Sequence, residues 1–123
     1  MTGMEAKANL RRRTTAYAAL AIRLYCSLDK ARVEVQVIGK QLLRSCTSVA
    51  ANYREASRAR SDADFVSKIE TCVQEADETS LWLELLRDEC SIESKSLTML
   101  IRETDELIAI FVTMAKNVKR RVS

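Results

Sequence analysis

Apolar residues recur along the chain in alternating steps of three and four. Leu10, Tyr17, Leu20, Leu24 and Leu28 form a first stripe. Val35, Ile38, Leu42, Ser45, Val49, Asn52, Ala56 and Ala59 form a second. Phe65, Ile69, Cys72, Ala76, Thr79, Leu83 and Leu86 form a third. A wider fourth runs through Leu97, Leu100, Ile101, Thr104, Leu107, Ile108, Phe111, Met114 and Val118. Residues at that spacing lie on one side of an α-helix and need a core to face. The pattern predicts four helices, at about residues 8–28, 31–60, 62–89 and 94–120. Ser61 is placed to cap the third, with Asp62 and Asp64 in its first turn, and Ser91 or Ser94 to cap the fourth. Four amphipathic helices joined by short links predict an all-α fold. Its expected architecture is an antiparallel up-down-up-down four-helix bundle, a single domain over residues 1–123.

Two polar residues interrupt the second stripe. A polar side chain in a helix-packing seam can fix register at some cost in stability. Ser45 admits that role, and equally the simpler one of letting two helices approach closely. A buried amide must be satisfied. Asn52 is therefore expected to hydrogen-bond to the third helix, with Trp82 or Glu75 as partners for either residue.

Composition supports helices. The chain has no proline and two glycines, Gly3 and Gly39, whereas sheets joined by tight turns need both residue types. Apolar residues make up 47% and charged residues 30%, ordinary for a soluble folded protein. No apolar run reaches the roughly 18 residues of a membrane span. Basic residues do precede an apolar run near the start, as in a secretion signal. Arg23 interrupts that run and its period is helical, so a cytoplasmic protein is expected.

The chemistry of a catalyst is missing. There is no histidine, the usual general base at neutral pH. No glycine-rich loop is present to cradle a phosphate. Cys26, Cys46, Cys72 and Cys90 include no C-x-x-C pair, so small buried thiols are expected rather than a metal site. Di-iron bundles use Glu-x-x-His pairs. Here Asp77, Glu78, Asp88 and Glu89 fall on outward positions and are expected to form a solvated acidic face. Neither an enzyme nor a cofactor or metal is expected.

Some apolar residues exceed what a lone bundle needs. Leu81 and Leu85 point away from the third stripe, with Trp82 at its flank, and Val33, Val37 and Leu43 point away from the second. Leu81, Leu85, Val37 and Leu43 are the candidate subunit interface. Charge is also unevenly divided. Residues 30–60 carry seven basic and two acidic residues, and residues 61–90 carry two and nine. Pairing between the second and third helices accounts for part of this. Two further basic clusters sit near the ends of the chain: Arg11, Arg12 and Arg13, and Lys116, Lys119, Arg120 and Arg121. In an antiparallel bundle these clusters share one end and are expected to merge into a patch that binds RNA or DNA through phosphates. Arg54, Arg58 and Arg60 are secondary candidates, because the acidic third helix can neutralise them. Mixed charge on the fourth helix argues against a membrane-surface role. The alternative is an assembly or adaptor protein with no nucleic-acid role.

Residues 44–86, RSCTSVAANYREASRARSDADFVSKIETCVQEADETSLWLELL, resemble the signature of the four-helix bundle proteins of 23S rRNA intervening sequences. The matching residues include Ser45, Thr47, Ser48, Ala51, Asn52, Glu55, Ala56, Ser61, Asp64 and Phe65. They continue with Glu75, Ala76, Glu78, Thr79, Trp82 and Leu83. Two family glycines are Cys46 and Ala50 here, and the link SLDKAR is shorter than the family's. The resemblance implies a ring of subunits, usually a homopentamer. It also implies a relation to the accessory variability determinants of diversity-generating retroelements, whose basic barrels bind nucleic acid and a reverse transcriptase. It implies no catalytic residues.

Overall fold

The protein is described here by a computed structural model covering residues 3–122, with side chains placed over residues 5–121. Met1, Thr2 and Ser123, which the single-domain expectation includes, lie outside the described residues. Four helices run in sequence: α1 (Gly3–Ser27), α2 (Val33–Ser57), α3 (Asp62–Asp88) and α4 (Lys95–Val122). Each packs against its neighbours in the chain and α1 closes against α4; among the described residues the backbones of the diagonal pairs stay apart and meet through side chains in the core. The result is an all-α antiparallel four-helix bundle.

Local chemistry sets the helix ends. Between α1 and α2, Lys30 donates from Nζ to the carbonyls of Tyr25, Cys26 and Leu28, covering the C-terminal end of α1. The Asp29 carboxylate accepts from Ala31 N–H at 3.1 Å. That side-chain turn delays α2 to Val33, two residues later than its pattern predicts. Ser61 caps α3, its hydroxyl accepting from Asp64 N–H at 3.0 Å. After α3, Ile92 N–H reaches the Leu86 carbonyl at 2.9 Å, and Ser91 takes the left-handed conformation at φ 57°. That is a helix-stop motif in which glycine is the usual occupant. Ser94, not Ser91, caps α4, accepting from Leu97 N–H at 3.4 Å.

One continuous core fills the bundle, with Tyr17, Leu24, Leu42, Val49, Tyr53, Ile69, Leu83, Leu86, Leu107 and Phe111 essentially closed to solvent. Tyr53 and Phe111 stack across it at 6.0 Å. The α2 face turns slightly from its expected position. Gly39, Cys46 and Tyr53 are buried, whereas Ile38, Asn52 and Ala59 are only half-buried. A methyl group on Gly39 would meet Leu28 Cδ1 at 3.0 Å and Tyr25 Cδ1 at 3.1 Å, so glycine lets α1 and α2 close at that level. Cys46, Cys72 and Cys90 are buried as expected of small thiols; Cys26 is exposed.

Midway along the bundle, each helix contributes a buried hydroxyl. Ser45 Oγ lies 2.7 Å from Thr79 Oγ1, and Tyr17 Oη lies 2.6 Å from Thr104 Oγ1. Both threonines also donate to their own helices, Thr79 to the Glu75 carbonyl and Thr104 to the Leu100 carbonyl. A hydroxyl has one proton. Tyr17 is therefore the donor to Thr104, and Ser45 the donor to Thr79, because the Thr79 bond to Glu75 at 2.8 Å is shorter than the competing Ser45 bond to the Leu42 carbonyl at 3.3 Å. The expected bond from Ser45 to α3 exists, with Thr79 as partner in place of Trp82 or Glu75. Asn52 differs from expectation. Its amide donates to the Ser48 carbonyl at 2.9 Å and to Ser48 Oγ at 3.0 Å, both within α2. Half-buried Asn52 sits beside the seam, and Tyr53 takes the core position.

Candidate nucleic-acid interface

The N-terminal half of α1 carries its three arginines toward different faces. Arg13 turns to α4. Its Nε and Nη2 grip both oxygens of Glu103 at 2.7 Å, and Nη2 also reaches Glu106 at 2.8 Å. These bonds, led by that to Glu103, hold the guanidinium in its charged form and raise its pKa. A fork-on-carboxylate grip of this kind is strong and directional. Arg13 therefore joins α1 to α4 rather than facing solvent.

Arg11 and Arg12 turn to the other side. With Arg54 of α2 they rim a shallow groove of about 490 Å³ whose floor is Ala8, Ala16 and Ala19. Arg54 donates from Nη2 to Thr15 Oγ1 at 3.3 Å, which steadies it over α1. Among the described residues, no carboxylate pairs with Arg11, Arg12 or Arg54. Arg58 follows one turn beyond Arg54, as the C-cap of α2, and Arg60 lies in the link to α3. Neither has an ion-pair partner among the described residues. Arg54 and Arg58 also sit at the negative end of the α2 dipole, which favours cations.

The basic residues of α4 are divided. Lys119 pairs with Glu70 at 3.3 Å, and Arg121 stands 3.8 Å from Asp62. Lys116 lines a shallow hollow between α3 and α4 with Lys119 and Glu70. Arg120 is exposed in the last turn of α4. The two terminal clusters share one end of the bundle, as expected, but do not merge: Arg11 and Arg12 lie on the α1–α2 side, Lys116 and Lys119 on the α3–α4 side. The expected neutralisation by α3 falls on Arg44, which bridges Glu75 at 3.0 Å and Glu78 at 2.8 Å. It does not fall on Arg54, Arg58 or Arg60. Of those three, ranked second from the sequence, Arg54 stands with Arg11 and Arg12 around one groove, while Arg58 and Arg60 are exposed at the α2–α3 link. The reason is register: Arg44 is level with the carboxylates of α3, while Arg54 leans toward α1.

Leu81 and Val37 are exposed, at 46% and 54%, and Val33 at 67%. Leu85 is half-buried. Arg44 against Glu78 sets the α2–α3 register and brings Val37 level with Leu85. Leu43 is half-buried and does not belong with them. It follows Gly39 by four residues on the α1-facing flank of α2, since Gly39 meets Tyr25 and Leu28, and helical neighbours four apart share a face. Trp82 lies on the α2-facing flank of α3, one turn from Glu78. Its buried indole Nε1 has no hydrogen-bond partner among the described residues. Asp77, Glu78, Asp88 and Glu89 are exposed. No helix among the described residues is long and apolar enough to cross a membrane.

An antiparallel four-helix bundle with a basic α1–α2 face and an apolar strip on α2–α3 defines the class. Residues 9–113 match the family of 23S rRNA-intervening sequence proteins, and the chain belongs to that family. Among solved structures it is similar to a protein of unknown function from the S23 ribosomal protein family of Bacteroides thetaiotaomicron. The two are 34% identical, with a TM-score of 0.74, over 86% of this chain and 97% of that one. No curated protein matches it.

Proposed function

We propose that the protein is a non-enzymatic, oligomeric nucleic-acid-binding accessory protein of the cytoplasm. The observation that carries this reading is the groove rimmed by Arg11, Arg12 and Arg54, with exposed Arg58 and Arg60 beyond the end of α2; these cations stand without carboxylate partners among the described residues. Such a face holds phosphates of RNA or DNA with little sequence preference. A protomer of net charge +3 is only mildly basic. A homopentameric ring, the assembly its family resemblance implies, repeats the face five times and concentrates the field. The apolar strip of Val33, Val37, Leu81 and Leu85 supports assembly. Structured RNA is the first partner to test, and a reverse transcriptase the second.

The test is a fluorescence-anisotropy titration with structured RNA and duplex DNA at several salt concentrations. Changing Arg11, Arg12 and Arg54 together to Ala weakens binding to all sequences alike. It also flattens the log–log salt slope, by about 0.9 for each duplex-DNA phosphate that is no longer neutralised. Arg44→Ala, which removes one positive charge elsewhere and frees two carboxylates of α3, is the control against which Arg12→Ala alone is compared. The ion pairs of Arg13, Arg44 and Lys119 favour a second reading, in which the basic residues exist to join helices and the protein is an assembly or adaptor module. No binding even at low salt decides for that second reading.

A further inference from the structure

Among the described residues, the four helix termini at the α2–α3 end of the bundle do not close over the core. They leave a cavity of about 710 Å³ open to solvent. Small-molecule sites occupy roughly 300–1,000 Å³ and combine an apolar lining with a few convergent polar groups. Here Ala59, Phe65 and Met114 form apolar walls above Ala56 and Val118, which seal the core beneath. The rim is cationic, with Lys7 from α1, Arg60 from the α2–α3 link and Arg121 from α4. Among the described residues, Lys7 and Arg60 have no ion-pair partner. Asn117 presents an amide to the same space, and that amide makes no hydrogen bond within the protein among the described residues.

The combination selects a ligand. A shallow floor sealed by two core residues has no depth for an acyl chain. It suits a flat body with apolar faces, and Phe65 supplies the one aromatic wall. The free amide of Asn117 suits a body whose edge carries both donors and acceptors. The Asp62 carboxylate, 3.8 Å from Arg121, can accept from sugar hydroxyls. Cations at the rim require an anion attached to the same body. We propose that this cavity holds an unstacked nucleoside 5′-phosphate: the base against Phe65 and Met114, its edge on Asn117, and its phosphate between Lys7 and Arg60. The source is either the unpaired end of a nucleic-acid strand or a free mononucleotide. In the first case the inference rests on the proposed function and adds to it a preference for frayed ends over blunt ones. Arg60 on the rim and Arg58 two residues before it are both exposed, so a strand held by the arginines near the end of α2 has its end close to the cavity.

Anisotropy titrations would compare a blunt RNA duplex with the same duplex carrying one unpaired, 5′-phosphorylated adenosine at its 5′ end. Adenosine 5′-monophosphate would be titrated in parallel while the Phe65 ring resonances are followed by NMR. The expected result is about tenfold tighter binding of the overhanging duplex, the order of one base stacked on an aromatic ring. Ala59→Phe fills the cavity from its wall, and Asn117→Leu removes the edge contact at an exposed position. Each should abolish the preference and leave blunt-duplex affinity unchanged, with circular dichroism confirming the fold. Equal affinity for both duplexes, with no response to the mononucleotide, overturns the inference and leaves the arginine face standing. A mononucleotide response without any duplex binding establishes the free-nucleotide source and overturns the proposed function instead. Failure of all ligands removes both.

Discussion

The bond between Ser45 and Thr79 gives the sharpest test of how the bundle is specified. Both residues are fully buried, and their oxygens are 2.7 Å apart. Ser45→Ala removes a donor. Thr79 keeps its own donor bond to Glu75 at 2.8 Å and gives up only one accepted bond, so the cost is about 1 kcal/mol. Better helix propensity of alanine returns up to about 0.5 kcal/mol of that. Thr79→Val keeps the shape and strands the Ser45 hydroxyl in the core. That group has one fallback, the Leu42 carbonyl at 3.3 Å, so the cost is about 1–2 kcal/mol. In the double variant no donor is stranded. Its destabilisation should fall below the sum of the single variants by about 1 kcal/mol, the propensity gain cancelling around the cycle. Urea unfolding at pH 7, with midpoints and slopes fitted for all four proteins, measures this directly. Additive single effects would mean that the two hydroxyls do not sense each other, and the assignment of Ser45 as donor across the seam would be wrong.

Three other outcomes are expected. Val37→Asp combined with Leu81→Asp should convert the proposed assembly to protomers in native mass spectrometry with helical content retained, since both side chains are exposed in the protomer. Ser91→Gly should raise stability by about 1 kcal/mol in thermal melts, because glycine takes φ 57° without strain. Burial raises the Cys46 and Cys72 thiols to about 12 from the ordinary 9.0, so the folded state retains protons that the unfolded chain releases above pH 9. Their contribution is complete below pH 9 and is lost as pH climbs toward 12. Unfolding at pH 11 should therefore show a loss of about 2 kcal/mol per thiol relative to pH 8, and iodoacetamide at neutral pH should label exposed Cys26 first. Cys46→Ala should remove part of the alkaline loss, and an unchanged pH profile in that variant would refute the assignment.

Helix number, order and most of the core were legible because a 3.6-residue period survives any tertiary arrangement. α3 illustrates this: Ile69, Cys72, Ala76, Thr79, Leu83 and Leu86 are all buried where the stripe put them. α2 was harder, because steps of three and four can be exchanged. Val49 to Ala56 can pass through Asn52 or Tyr53, and the larger apolar body of Tyr53 wins, stacked on Phe111. The basic patch was legible in composition and illegible in geometry. Arg11, Arg12 and Arg13 are adjacent in sequence but lie about 100° apart around a helix. Only the partner on α4, ninety positions along the chain, reveals that Arg13 belongs elsewhere. The end cavity left no trace in the sequence, since its walls come from all four helices.

The grip of Arg13 on Glu103 and Glu106 bears on how the molecule is made. It joins the first helix to the last across a separation of 90 residues, along the least extensive seam of the bundle. During synthesis at 5–20 residues per second, α1 emerges roughly 5–20 seconds before its partner on α4 exists. In that interval α1 can pair with α2 alone, and its α4-facing side stays uncovered. Another newly made chain carries the same Glu103 and Glu106 and can fill that side equally well. Whether α1 closes on its own α4 or is exchanged with a neighbour then depends on how crowded the nascent chains are. Under the proposed assembly with copies of itself, that makes the rate and spacing of translation part of what decides the shape of the product.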